Sequence, residues 1–366
     1  MTDDRPDMAG RTCPSPLPHH ERIVLGHGGG GLLTRELIER VFLPAFANPI
    51  LAGLSDSAVL PVEWCAIGPH GGGGPAGGRL AFSTDSYVVQ PLRFPGGSIG
   101  DLAVNGTVND LAMSGALPVA LSAAFILEEG LDIGVLAGVV ADMGRAARMA
   151  GVRIVTGDTK VVERGRGDGL SITTAGIGLV PSGSRLGSMP PGPGDQILVS
   201  GTVGDHGMAV MSVREGIAFE SPIRSDSAAL HGLVSDLLAA CPEVRLLRDP
   251  TRGGLAMTLG ELVAGKGIGV ECDEAAVPVE PAVAAACEIL GLDPLQVASE
   301  GRLVAVVPES HADRALAALR AHPLGSRGAR IGRIVSGQPG RVVARTAFGG
   351  ARIIPMPLGE QLPRIC

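Results

Sequence analysis

The stretch RLAFSTDS (79–86), with GDLAVNGTVNDLAMSGA (100–116) close behind it, decides the fold this chain builds. RLAFS reads as a strand, and Thr84, Asp85 and Ser86 follow as a polar break at its end. The second segment reads as a helix that sets Asp101, Asn105 and Asn109 at i, i+4 and i+8 along one face. Asn is a poor helix former, so two of them beside an acid invite a ligand reading as well as a structural one. The pattern recurs. VRIV (152–155) is a strand that runs into Thr156, Gly157, Asp158 and Lys160, and GLSDSAVL (53–60) presents Asp56 between apolar runs.

Working outward, DIGVLAGVVADMGRAARMAG (132–151) reads as a helix with Asp132 as N-cap and Gly151 as its stop. Further on, QILVS (196–200) and RLVAVV (302–307) read as strands, and GGLAMTLGELVAG (253–265) as a helix closed by glycine. The Pro- and Gly-rich PSGSRLGSMPPGPGD (181–195) is the natural linker. The expected class is α/β (α+β) in two domains, 22–184 and 185–345. A disordered extension (1–21) precedes them, and a flexible tail (346–366) follows.

Composition narrows the function. At 366 residues, with 45% hydrophobic and 18% charged content, the chain reads as well-packed and globular. A net charge of −7 and few aromatic rings argue against nucleic acid. No apolar run suits a membrane span, and MTDDRPDMAG is no signal peptide, so the expected location is cytoplasmic. The cysteines at 13, 65, 241, 272, 287 and 366 form no CxxC pair, which favours reduced thiols over disulfides or zinc.

Two motifs mislead. GHGGGG (26–31) matches the dinucleotide fingerprint, but the expected acid about 20 residues on is missing. GELVAGKG (260–267) approaches a P-loop, but Gly267 replaces the Ser/Thr, and the segment ends a helix where a P-loop should precede one. The convergent acids and amides, without Cys/His clusters, suit Mg²⁺ shared with substrate phosphates. His27, Gly28 and Gly29, entering a helix, offer backbone N–H groups to phosphate. Asp249, Thr251 and Arg252 open another helix in RDPTRGGLA (248–256), a natural anion site. Together these read as an ATP site without a P-loop.

Five segments then carry a resemblance: 82–118, GVRIVTGDTKVVERGRGDG (151–169), SGTVGDHGMAVMSVREG (200–216), RDPTRGGLA and the terminal PRIC (363–366). The chain resembles the HypE family of hydrogenase maturation proteins, within the aminoimidazole-ribonucleotide synthetase (PurM-like) superfamily. The likeness runs from about residue 22 to 366. It departs at HGGGG, where the family usually has HGSGG, and at ASEG (298–301), where it usually has ANEG.

The resemblance implies a homodimer of two-domain subunits binding ATP and Mg²⁺, with Asp56, Asp85, Asp110 and Asp158 as metal ligands. It implies that a HypF-type carbamoyltransferase loads a carboxamide onto Cys366, which is then dehydrated to a thiocyanate. The cyanide passes to iron on a HypC–HypD complex, for nickel–iron hydrogenase. Lys160 and Glu300 are the implied proton handlers. Lys160 needs desolvation or nearby cations to act as a base, and serves equally as a charge on the phosphates. His206 is either a further proton handler or a structural group. From Gly349 to Cys366 the extended chain reaches at most about 55–60 Å, enough for the thiol to visit a partner and return. The competing readings are a superfamily kinase or synthetase acting on a diffusible molecule, which has no use for Cys366, and a carrier without ATP dependence.

Overall fold

The computed structural model describes residues 20–24, 27, 32–49, 79–216, 223–346, 349–356, 362, 364 and 365. Helical turns come first: α1 (Leu32–Leu37), a π-helical turn (Ile38–Phe42) and α2 (Leu43–Phe46). A four-stranded sheet follows from β1 (Arg79–Tyr87), β4 (Leu117–Glu128), β5 (Arg153–Val162) and β6 (Leu170–Val180), in the order β1-β6-β4-β5. Between β1 and β4 lie the small hairpin β2 (Arg93–Phe94) and β3 (Gly97–Ser98), and then α3 (Ile99–Met113). α4 (Ile133–Met149) connects β4 to β5 as a crossover between parallel neighbours.

Local chemistry sets these boundaries. Ser98 and Asp101 form a capping box at the start of α3: the Gly100 N–H donates to Ser98 Oγ, and the Ser98 N–H donates to Asp101. Asp132 accepts from the Gly134 and Val135 N–H groups to start α4, and Gly151 at φ +65° turns the chain out of it. β6 alternates buried and half-buried residues along its whole length, the period-2 signature of one covered face. α3 and α4 cover that face, and Leu102 of α3 and Leu136, Val139, Val140 and Met143 of α4 are fully buried. The other face is open and carries Leu80 and Phe82, 67% and 70% exposed, together with Ile126.

The irregular segment 181–195 leads into a second sheet, ordered β13-β12-β9-β11-β7-β10-β8. Its strands are β7 (Gln196–Val199), β8 (Leu246–Arg248), β9 (Gly269–Asp273), β10 (Val304–Val307), β11 (Ala329–Val335), β12 (Val342–Arg345) and β13 (Ala351–Ile353). The interleaved helices are α5 (Asp205–Arg214), α6 (His231–Ala240), α7 (Gly254–Val263), α8 (Pro281–Leu290) and α9 (Ala312–Ala321). α7 packs on Ile197, Val199, Val270 and Ile334, whereas α6 and α9 pack on Leu198, Ala305 and Val307. All four residues of β7 are buried because helices lie on both faces.

Two expectations are corrected here. Asp85 and Asp158 do not follow strands but lie inside β1 and β5, the edges of the first sheet, where polar residues cost little. Nor does a free tail begin at 346. β13 pairs with β12 to extend the second sheet, Ile354 is buried, and Ile365 at the chain's end is 3% exposed. The tail's prolines exclude a helix but not an added strand.

Candidate active site

Four carboxyl groups from separate elements crowd together between the domains. Asp85 projects from β1 on the helix-covered face, in register with the buried Thr174 and with Gly157 two strands further on. Asp110 is set by the last turn of α3 and accepts Ser83 Oγ–H at 2.7 Å. Asp249 follows β8, and Glu300 sits on the loop before β10, 2% exposed.

Their electrostatics show what the site needs. Burial, then the Asp110 charge, pushes the Asp249 carboxyl up to about 7. Burial also raises Asp110. Glu300 lies well above the carboxylate range, from burial first and then from Asp249, Asp226 and Asp85. Its Oε1 is fully buried, with no hydrogen-bond partner among the described residues. Arg252, 70% exposed, reaches to 3.7 Å of Asp85. A cleft of about 750 Å³ opens beside them, lined by Arg79, Arg245 and Arg248 as well as Asp110 and Asp249. Cationic walls around an acidic floor suit a polyphosphate carried with a divalent cation.

The donor set fits magnesium on that ground: crowded hard-oxygen acids, one with an orphaned buried oxygen. Among the described residues no three His, Cys, Asp or Glu side chains could hold an ion by themselves, so phosphate and water oxygens must complete the shell.

The remaining predicted residues divide. Asn109 is 1% exposed, and its amide is spent across the domain junction. Nδ2 donates to the carbonyls of Ala228 (3.0 Å) and Glu300 (3.1 Å), and Oδ1 accepts from the Leu230 N–H (2.7 Å). It acts as a joint and has no donor left for a nucleotide. Asn105 donates to Ser227 Oγ at 3.1 Å, also across the junction. Thr84 Oγ1 donates to the Thr174 carbonyl, and His27 Nδ1 accepts from the Val24 N–H. Gly157 is required by packing, since a Cβ there would meet the Ala123 carbonyl oxygen at 2.2 Å. Thr156 is half-buried on β5, and Thr251 half-buried between Asp249 and Arg252. Gly28, Gly29, Asp56 and Cys366 lie outside the described residues.

Asp158 and Lys160 do not join the acids within one chain. They occupy the opposite edge and opposite face of the sheet from Asp85, across three strand spacings of about 4.8 Å. Lys160 is 67% exposed and lies 3.7 Å from the Asp158 carboxylate, so its own chain does not supply the burial that a neutral base needs. His206 is fully buried with both ring nitrogens engaged, one by Ser225 Oγ and one by the Ile365 carbonyl, each at 2.8 Å. It does not face the acids as a free base.

Sequence reasoning missed Asp226. Buried, it accepts from the N–H groups of Glu300 and Gly301 and lies 3.6 Å from Arg302, fixing the Glu300 loop. A Cβ on Gly301 would come within 1.7 Å of the Asp226 carbonyl oxygen, so only glycine fits the turn. Its one sequence signal was an acid in a Ser-rich run, SDS (225–227). Ser299, standing in the ASEG departure, accepts from the Gly204 N–H and is buried, a structural role.

Two domains meeting over this acidic cleft define an AIR synthase related protein. Residues 55–180 match the N-terminal domain of that family and 192–345 its C-terminal domain. The carbamoyl dehydratase HypE of Cupriavidus necator is 53% identical over 345 residues, 94% of this chain and 95% of that protein. A crystal structure of the hydrogenase maturation protein HypE in complex with ATP superposes with a TM-score of 0.84 at 48% identity, covering 94% of this chain and 99% of that one. A HypE–HypF complex structure gives 0.73 at 42%, covering 89% and 100%. The chain belongs to the HypE family of carbamoyl dehydratases.

Proposed function

We propose that the protein is an ATP-dependent carbamoyl dehydratase whose substrate is its own Cys366, loaded as a thiocarbamate by a HypF-type partner. The observation that carries this reading is where the chain's end lies. Ile365, one peptide bond before Cys366, is held by His206, and Ser225 on the far side of that ring adjoins Asp226, the anchor of Glu300.

Dehydration removes the amide oxygen and both N–H protons. Oxide does not leave, so the γ-phosphoryl group of ATP is transferred to that oxygen; the C–O bond then breaks as phosphate departs, and the C–N bond becomes C≡N as the two N–H protons are lost. One proton is released overall, and ADP and phosphate are the other products. Glu300 is suited to take an N–H proton: it is buried, burial and then the neighbouring carboxylates raise its affinity for protons, and Oε1 has no hydrogen-bond partner among the described residues. Asp226 and Asn109 hold its backbone still, and the interdomain junction shields it from water. Asp85, Asp110 and Asp249, with Asp56, are the residues to hold magnesium, which offsets phosphate charge when bound. Arg252 and the arginines of the cleft orient the polyphosphate.

The open sheet face, with Leu80, Phe82 and Ile126 exposed, supports a homodimer that covers it. A second copy is also what Asp158 and Lys160 need in order to contribute to a site, because their own chain holds them away from Asp85. The cyanide then passes to a HypC–HypD iron complex in the cytoplasm. There the described cysteines suit a reducing setting: Cys241, Cys272 and Cys287 are free and buried, with Cys272 pushed up to about 12 and Cys287 to about 11, chiefly by burial. Single-turnover phosphate release from the carbamoylated chain tests the function. One phosphate per Cys366 is expected, and Cys366→Ala should release none. Undiminished turnover of a diffusible substrate by that variant would favour a superfamily kinase instead.

A further inference from the structure

We propose that His206 is a positioning residue for the chain's own end, its ring N–H holding the Ile365 carbonyl and so tying the end of the tail to residues 225–227, which anchor the Glu300 loop. The catalytic consequence rests on the function proposed above; the docking does not.

Hydrogen-bond geometry fixes every proton in the contact. Burial pushes the His206 ring down to about 4, so at neutral pH it has one donor and one acceptor. The Ile365 carbonyl only accepts, so Nε2 carries the hydrogen. Nδ1 must then accept from Ser225 Oγ–H, and Ser225 Oγ in turn accepts from the Ser227 N–H at 3.1 Å. The result is a directional relay from Ser227 through Ser225 and His206 to the tail.

The neighbouring peptide is held as firmly. The Arg364 carbonyl accepts from Arg214 Nη2 at 2.6 Å and from the Gln90 N–H at 3.1 Å. The Arg364 side chain pairs with Asp168, and Ile365 is buried in a core cluster drawn from both domains. Residues of both domains therefore hold the end of the tail. Asp226 lies between the two serines of the relay and holds the Glu300 and Gly301 N–H groups, so residues 225–227 serve the tail and the Glu300 loop together. That run has little room to shift, since even a Cβ on Gly96 would meet the Ser225 nitrogen at 2.7 Å.

The test is the rate at which carboxypeptidase releases Cys366 from the full chain, followed by intact mass without ATP. His206→Phe removes the donor and should speed release about tenfold. His206→Gln keeps an N–H that reaches the same carbonyl and should stay near the parental rate. A Phe variant that melts like the parent and is trimmed no faster overturns the proposal. If that variant does not fold, the imidazole ¹⁵N spectrum of the unaltered chain decides. An Nε2–H tautomer that shifts once Ile365 is trimmed away supports the contact, and an Nδ1–H tautomer or an unmoved signal overturns it. In the carbamoylated enzyme, His206→Phe should lower the single-turnover rate at saturating ATP, with the ATP concentration for half-maximal rate unchanged. Faster trimming with a parental single-turnover rate would reduce His206 to a docking contact and overturn its positioning role. An unaltered chain that never dehydrates strikes the proposed function, while trimming still decides the docking.

Discussion

Replacing Asn109 with Ala separates a structural joint from a nucleotide contact. The side chain makes three hydrogen bonds to backbone groups at the domain junction, and at 1% exposure water does not readily replace it. Truncation strands two carbonyls and one N–H. Each costs roughly 1–3 kcal/mol, less where a carbonyl finds a second partner, so the total expected is roughly 3–5 kcal/mol. That is a large share of the about 5–15 kcal/mol that holds a typical domain together. Asn109→Asp should be little better: it keeps an acceptor for the Leu230 N–H but sets negative oxygens against two carbonyls. Urea unfolding measures the loss, and calorimetric titration with Mg²⁺–ATP measures affinity in the folded fraction. A loss under about 1 kcal/mol with a tenfold weaker ATP affinity would refute the reasoning and return Asn109 to the nucleotide site.

Three other outcomes follow from the same geometry. Glu300→Gln should bind ATP yet slow dehydration by about a hundredfold or more, as expected for loss of a general base, and single-turnover kinetics reads it. The Asp249 carboxyl ionises near 3.8 when unfolded but holds its proton to about 7 when folded, so between these values the native state binds more protons and stability falls as pH rises. The melting temperature without magnesium should therefore drop from pH 5 to pH 8, Mg²⁺–ATP should restore most at pH 8, and Asp249→Asn should flatten the trend. If the site combines Asp85 of one copy with Asp158 of another, two inactive variants, Asp85→Asn and Asp158→Asn, should regain about a quarter of parental activity when refolded together. Unrestored activity would place both residues in separate or same-chain roles.

What could be read in the sequence was the chemistry that acts locally. Asp132 and Gly151 bound α4 because capping and a left-handed glycine need only near neighbours, and the Pro-rich run 181–195 parts the two sheets for the same reason. The acids were recognisable as a set, but not which of them meet. That depends on the order β1-β6-β4-β5, a matter of long-range pairing that puts Asp158 and Asp85 on opposite edges. The Asn105 and Asn109 stripe stands out in a helix and invites a ligand reading, but its partners lie across the junction, out of sight of any local pattern. Asp226 was invisible because its meaning depends on Glu300, 74 residues further along. The tail misled for a similar reason, since a proline count cannot reveal β12 waiting to pair or a buried histidine waiting for a carbonyl.

The most direct check on the whole account is the mass of the intact chain after incubation with the carbamoylating partner, before and after Mg²⁺–ATP is added. One carbamoyl group confined to Cys366 is expected, followed by loss of one water from that adduct only when nucleotide is present. ATP consumed while the carbamoylated mass stays unchanged would contradict it.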